Sequence, residues 1–196
     1  GERALDDPAL GVERAAVDLI LGAQDPYPAL AVDRHWTLVA ANKAASRLMT
    51  GANPKLSQPP VNVLRLSLHP DGLGRRIRNF HEWRAHVLAR LIKQIENSAD
   101  PVLMALLNEL KAYPISTASN AWSATGPHDF AGIVVPLELV TDSGVLSFFS
   151  TTTIFGTPLD ISLSELAIES FFPADAATAE ALRRLAGMEA QPAGGS

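Results

Sequence analysis

The sequence predicts an α+β domain in which a pair of long helices is inserted into a central antiparallel sheet and further helices stand at the two ends. Three observations predict it. Runs of strand composition occur toward both ends of the chain, at 29–40 and 130–155. Between them the apolar residues recur at three- and four-residue spacing, the period of a helix with one buried face. The chain has 196 residues, 47% of them hydrophobic, which is enough for a continuous core without a covalent staple.

The elements follow in order. Residues 1–12 carry Pro8 and Gly11 and little pattern, so 1–24 is expected to be a linker and then a connecting helix over 13–21, on Ala16, Val17, Ile20 and Leu21, stopped by Gly22. The domain proper is expected at 25–187. Two short runs, 29–33 and 36–40, separated by Asp-Arg-His, read as a hairpin. Asn42 then caps a helix over 43–50, because its side-chain oxygen can accept an orphan amide of the first turn, and Gly51 can end that helix at positive φ. Residues 52–62, with Pro54, Pro59 and Pro60, are expected as loop or extended chain.

From Leu73 to Ile95 an apolar stripe of Ile77, Phe80, Trp83, Val87, Leu88, Leu91 and Ile92 predicts a long helix, with an interruption near Asn79 and His81. Asp100 as N-cap and Pro101 at the first position open a second helix that buries Val102, Leu103, Leu106, Leu107 and Leu110 and closes at Pro114. A loop is expected around Trp122. Strands over 130–139 and 145–155 form a hairpin through Thr141-Asp-Ser-Gly144, expected beside the first strands, and Pro136 marks an edge or a bulge. Ser162 or Ser164 is read as the cap of a helix reaching Ser170, Asp175 or Ala176 as the start of another ending near Gly187, and 188–196 as a disordered tail.

Composition removes several function classes. Without cysteine there is no disulfide framework, thiolate metal site or cysteine nucleophile. Sixteen Lys and Arg against twenty-one Asp and Glu leave a net charge of −5, whose field repels a phosphate backbone. Arg75, Arg76, Arg78, Arg84, Arg90 and Lys93 are the nearest approach to a basic patch, and Glu82 and Glu96 interrupt it. No apolar run spans a bilayer and the first residues lack a secretory pattern, so a cytoplasmic protein without membrane insertion is expected.

Catalytic chemistry finds no footing. The histidines His35, His69, His81, His86 and His128 contain no His-x-x-x-His pair, and His81 and His86 diverge on a continuous helix. The carboxylates Asp160 with Glu165, and Asp71 with Glu82, are read as solvated, and Gly72-Leu-Gly74 is not a phosphate-cradling loop. No catalytic residue, metal or cofactor is expected.

The stretch from Pro28 to Ala45, a hairpin followed by Asn42 and a helix of small residues, resembles the opening of PAS domains. More specifically, Asn62-Val-Leu-Arg-Leu-Ser-Leu-His-Pro70, the Trp83-Arg84 helix, Ala99-Asp-Pro-Val-Leu103, Glu109-Leu-Lys-Ala-Tyr-Pro114 and Phe148-Phe-Ser-Thr-Thr-Thr-Ile-Phe-Gly-Thr-Pro158 resemble, in order over about 26–186, the MmyB-type ligand-binding domain of XRE-family regulators. The resemblance implies a PAS-like sheet and an effector-sensing role beside a helix-turn-helix unit. No such unit precedes Glu13, so DNA binding is expected only through a missing N-terminal domain. It also implies a small apolar ligand of fatty-acid type, and a homodimer formed through 13–21 or a sheet face is expected. The alternative is a dimerisation module with no small-molecule ligand.

A sheet curled beneath helices leaves a concavity that apolar side chains can line. The candidates are Leu64, Leu66, Leu68, Trp83, Val87, Phe149 and Phe155, each of which serves equally as plain core. Asn42 is first a cap and second a ligand contact. His69 and Arg84 could orient an acid head group, Arg84 through its bidentate fork, or simply tie a loop to a helix.

Overall fold

The computed structural model describes residues 8–115, 134–155 and 166–190. The loop expected around Trp122, the first part of the strand expected from Phe130, the Ser162 and Ser164 caps and the end of the tail lie outside them.

The architecture is α+β: a five-stranded, curled antiparallel sheet in the order β2-β1-β5-β4-β3 with helices on both faces, consistent with a PAS-like arrangement. Helix α1 (Pro8–Gln24) begins earlier than the expected 13 and runs through Gly22, where a side chain would meet nothing within 4 Å. The hairpin β1 (Ala29–Val32) and β2 (Leu38–Ala41) leads to α2 (Lys43–Met49), capped by Asn42, with Gly51 beyond it at φ +89.

Pro54 corrects the expected loop. It opens a one-turn helix, α3 (Pro54–Ser57), at a position where its missing amide costs nothing, and Asn53 caps that turn. The alternating Leu64, Leu66 and Leu68 lie on α4 (Val63–Leu68) and all three are buried.

The long helical stripe is broken where foreseen. After a 3-10 turn at Gly74–Arg76 the chain leaves helical geometry before α5 (Phe80–Ser98). The cause is the sheet edge. Ile77 bridges to Leu139, the Arg78 amide donates to the Glu138 carbonyl at 2.8 Å, and Asn79 takes the Glu138 amide at 3.1 Å while donating to the Pro136 carbonyl at 2.7 Å. This segment covers the outer edge of β3 (Leu137–Thr141), where Pro136 at the strand entry can be tolerated. Residues 61–63 do the same for β2, through Leu38 to Val61 at 2.7 Å and Val63 to Trp36 at 2.9 Å.

Helix α6 (Pro101–Ala112) is capped by Asp100, as its sequence foretold, but Val102 is 52% exposed rather than buried. Strand β4 (Gly144–Ile154) pairs with β3 on one side and with β5 (Ala167–Pro173) on the other. The expected helix reaching Ser170 is therefore wrong: β5 is the central strand, paired to β1 as well, and it separates the β3–β4 hairpin from the first strands. Ala-Ile-Glu-Ser-Phe-Phe alternates its side chains between two covered faces, and its period of two overrides a serine upstream that resembles a cap. Helix α7 (Ala176–Ala190) closes the described chain, its first turn capped by Asp175, whose carboxylate accepts from the Thr178 amide at 2.7 Å.

Register assigns each face. Thr152 opposes Glu169, and both touch Arg90 of α5, so the even-numbered β4 residues and the odd-numbered β5 residues look toward the helical layer. The main core lies there, with Leu64, Leu68, Trp83, Val87, Leu91, Leu103, Leu106 and Leu110 packed on Leu137, Leu139 and Phe171. Full burial of such a side chain contributes about 1.5–3 kcal/mol. On the opposite face Val17 and Leu21 of α1 pack on Ala29, Ala31, Ala40 and Ile168. No helix among the described residues is long and apolar enough to cross a membrane.

Candidate functional site

The middle of the sheet's helix-side face is polar, which an ordinary core would not require. Glu169 of β5 is only 3% exposed. Burial of a lone carboxylate would cost several kcal/mol, so it needs a partner. Arg90 of α5 supplies one with its planar fork, Nη2 to Oε1 at 2.8 Å and Nη1 to Oε2 at 3.3 Å. The Thr152 hydroxyl donates to Glu169 Oε1 at 2.7 Å and accepts from Arg90 at 2.9 Å. Three elements are thereby tied at one point.

The same arginine lies over the Trp36 ring, 5.1 Å from its centroid. Trp36 occupies the β1–β2 turn at φ +67, a left-handed conformation that a bulky residue adopts at a cost of about 1–3 kcal/mol. Its surroundings hold it there. The indole N–H donates to Gln94 Oε1 at 2.8 Å, and Gln94 Nε2 donates to the Arg34 carbonyl at 2.9 Å. Next to it His35 Nε2 meets Asp100 Oδ2 at 2.8 Å, so the hairpin turn is strapped along α5 to the start of α6. That contact holds the Asp100 carboxyl below its usual range.

His86 lies one turn before Arg90 and packs on Trp83, ring centroids 5.4 Å apart. Burial first, and the Arg90 charge second, depress its pKa below the ordinary imidazole value, against the opposing pull of Glu169 and Glu82. The imidazole is thereby kept neutral at neutral pH.

A second cluster binds the helices to one another. Arg65 of α4 grips Glu109 of α6 with two bonds of 2.7 and 2.8 Å, and the Tyr113 hydroxyl donates to Glu109 at 2.6 Å. The hydrogen bond from Arg65 is the main cause that lowers the Glu109 pKa, while burial and then Glu109 raise that of Tyr113. His69 stands edge-on to Tyr113 at 4.8 Å, and its Nδ1 accepts from the Asp71 amide at 3.0 Å. Trp83 donates to Ser67 at 3.0 Å. Three of the motif blocks, around 62–70, 83–84 and 109–114, thus meet as the framework of the helical layer.

Each sequence candidate has a place. Leu64, Leu68, Trp83 and Val87 pack together in the core beneath the sheet's helix-side face. Leu66 is buried as well, outside that cluster, its carbonyl accepting from the Leu73 amide at 2.8 Å. Gly72 permits that approach, because a Cβ there would lie 2.1 Å from the Leu66 oxygen. Arg84 donates to the Lys111 carbonyl at 3.2 Å and ties α5 to the end of α6.

Phe149 and Phe155 do not join this group. Phe149 stacks on Phe172 on the α1 side of the sheet, centroids 5.4 Å apart, and Phe155 packs on the α1 cluster. One chamber cannot be lined by all ten candidates, because strand alternation sends 149 and 152 to opposite faces.

Asn42 is buried and fully engaged. Its Oδ1 accepts from the Ala29 amide at 3.1 Å and the Ala45 amide at 3.0 Å. Its Nδ2 donates to the Leu21 carbonyl at 3.1 Å and the Tyr27 carbonyl at 2.8 Å. One side chain thus joins the last turn of α1, strand β1 and the start of α2.

The residues that sequence reasoning missed are Trp36, Gln94, Thr152 and Glu169, with Arg90 read only as part of a basic run. A signal existed in α5, where Arg90 and Gln94, four apart, flank the apolar stripe and share one side of the helix. Among the described residues no group of three or more His, Cys, Asp or Glu side chains is arranged to hold a metal ion.

Comparison with known proteins agrees with this arrangement. No curated protein matches the chain significantly. The family described as the MmyB-like transcription regulator ligand binding domain matches residues 14–185, which takes in the sheet, the helical layer and most of α1 and α7. The chain belongs to the MmyB-like ligand-binding domain family of transcription regulators.

Proposed function

We propose that this domain senses a small, largely apolar effector of fatty-acid type in the space between the sheet and helices α4–α6. In this reading it adjusts DNA binding by a helix-turn-helix unit attached through α1. The observation that carries the proposal is the Arg90–Glu169–Thr152 cluster, its Glu169 carboxylate buried, at the side of an otherwise apolar layer, the combination of greasy walls and few fixed polar groups that small-molecule sites use. Leu64, Trp83 and Val87 supply the walls. Entry of an apolar chain displaces part of their packing and alters how α5 presses on β5. Asn42 then passes the change from β1 and α2 to the last turn of α1. A ligand can bias this equilibrium only by the difference between its affinities for the two arrangements.

A homodimer through α1 completes the proposal, since Leu19 on its outer face is 75% exposed and a twofold pair suits a symmetric operator. That same exposed leucine is the observation favouring the second reading, a dimerisation module without a ligand. Native mass spectrometry of the gently purified chain separates the two. A co-purifying mass of lipid size, released on denaturation, supports sensing. An empty dimer that also fails to take up added C8 to C18 fatty acids overturns it.

A further inference from the structure

We infer that the β1–β2 turn, residues 33–37, is a strap that swings between the latched form in the structure and a released form. Its release opens the side of the helical layer at Arg90, whose side chain is 31% exposed. The starting point is where the backbone is strained. Among the described residues only Trp36, at φ +67, and Ala99, at φ +51, carry a side chain in the left-handed region. They adjoin the two partners of one contact, His35 Nε2 to Asp100 Oδ2 at 2.8 Å, so both lie where the turn is tied to the junction of α5 and α6. Strain of this kind persists only where the surroundings hold it, and it gathers in segments that switch.

The turn is built to move as one piece. Asp33 closes it from within, its carboxylate accepting from the His35 and Thr37 amides at 2.8 and 2.9 Å. The Asp33 amide and carbonyl add bonds of 3.0 Å to Thr37 and Trp36. At its foot the β1–β2 register shifts between Ala31 and Val32, which passes over Val39, and such an irregularity bends a strand. A rigid plate therefore adjoins a hinge.

Four contacts latch the plate to α5 and α6. They are Arg90 over the Trp36 ring, the indole N–H to Gln94, Gln94 to the Arg34 carbonyl, and His35 to Asp100. Each joins groups that water can reach on release, so its net contribution is modest. Backbone strain opposes them, and the two forms lie close in free energy. Arg90 is the key, because the guanidinium that lies over Trp36 also grips Glu169, and whatever draws it aside loosens the strap. Release is felt at the start of α4 as well, where the Asn62 side chain and the Val63 amide each donate at 2.9 Å to the His35 and Trp36 carbonyls. What the strap admits rests on the sensing reading, whereas its motion does not.

NMR relaxation dispersion on the isotope-labelled full chain, with no ligand added, tests the strap. Exchange at one common rate is expected at the amides of 34–37 and of 99–100, and none in β5. Gln94→Ala should raise the released population about tenfold, the loss of one to two hydrogen bonds, read at Ala99 and Asp100 away from the substituted side chain. Asp100→Asn keeps a good cap for α6 and should raise it about threefold, so it reports on the strap even if Gln94→Ala perturbs α5. Trp36→Gly and Trp36→Ala both remove the ring, but glycine accepts the left-handed region freely. The alanine variant should therefore unfold about tenfold more readily in urea. Exchange visible only in Gln94→Ala supports the strap, its released form being rarer in the parent. Dispersion that stays flat at 99–100 in that variant too, unrelated rates at the two segments, or an alanine variant as stable as the glycine one overturns it. A moving strap in a chain that takes up no fatty acid removes the sensing reading and leaves the strap standing, and a static turn in a chain that binds fatty acid does the reverse.

Discussion

On the face covered by α1 the sheet presents Ala29, Ala31, Ala40 and Ile168, whereas the face turned to α5 presents Glu169, Thr152, Phe171 and Leu139. The first set is small and apolar, so a helix can approach closely with few polar groups to satisfy. The second mixes bulky walls with an ion pair whose carboxylate is buried. Close packing of small residues leaves little freedom to rearrange, while a layer held partly by directional bonds has an alternative arrangement whenever a guest offers equivalent bonds. The difference separates a face built for close packing from one held by directional bonds, and the proposed function assigns the ligand to the second and the relay to the first.

The comparison breaks most severely at Arg90. In Arg90→Met the Glu169 carboxylate stays buried without its fork, and the loss should be about 3 kcal/mol in urea denaturation, at the low end for a broken buried pair because the arginine is partly exposed. Adding Glu169→Leu should recover most of that loss, since an apolar replacement of both partners leaves no unpaired charge. A single variant as mild as the double would mean that Glu169 is already solvated and that the helix-side face is not special.

Asn42 comes next. Asn42→Ala removes two acceptor and two donor contacts at once, and its cost should be about 2–3 kcal/mol, above the roughly 1 kcal/mol of a simple N-cap. If the residue joins α1 to the sheet as well as capping α2, hydrogen exchange should accelerate in the last turn of α1 as well as in α2. Acceleration in α2 alone would reduce it to a cap.

Ala31→Leu sharpens the contrast from the other side. A larger side chain under α1 should cost about 1–3 kcal/mol, because Val17 and Leu21 leave no room for it. Its effect should fall on protection of α1 and leave the Trp36 fluorescence environment unaltered. A shift in that signal would show that the two faces are mechanically coupled without Asn42.

Much of this design was legible locally. The Asn42 cap, the Asp100-Pro101 helix start, the Gly51 exit and the 29–40 hairpin are each specified by a few adjacent residues, and the structure places them where those residues demand. Strand β5 was not legible because a central strand is defined by its neighbours, and Ala-Ile-Glu-Ser-Phe-Phe alone also fits a helix end. Its misreading hid Glu169, and with it a pair whose members lie 79 residues apart. Candidates named for apolar character were mostly core, and Phe149 went to the far face because alternation can be assigned only once register is known. Arg84, chosen for its fork, serves a helix end, while Arg90, one further turn and a half along, holds the carboxylate.

The smallest effect concerns the clamp that holds α4 to α6 within the helical layer. The Glu109 carboxyl titrates below its free value of about 4.3, chiefly through the hydrogen bond from Arg65. A depressed folded value means that the unfolded chain binds the proton first, so this contribution is complete above about pH 4.3 and disappears as pH falls through the folded value. Both side chains are more than a third exposed, at 37% and 39%, and solvent screening limits the contribution to about 0.5–1 kcal/mol. Arg65→Gln should therefore flatten the loss of stability below that pH and leave the slope between pH 6 and 8 unchanged. If the acid slope of the variant equals that of the parent, Glu109 is held by Tyr113 instead, and the clamp belongs to α6 alone and no longer joins the two helices.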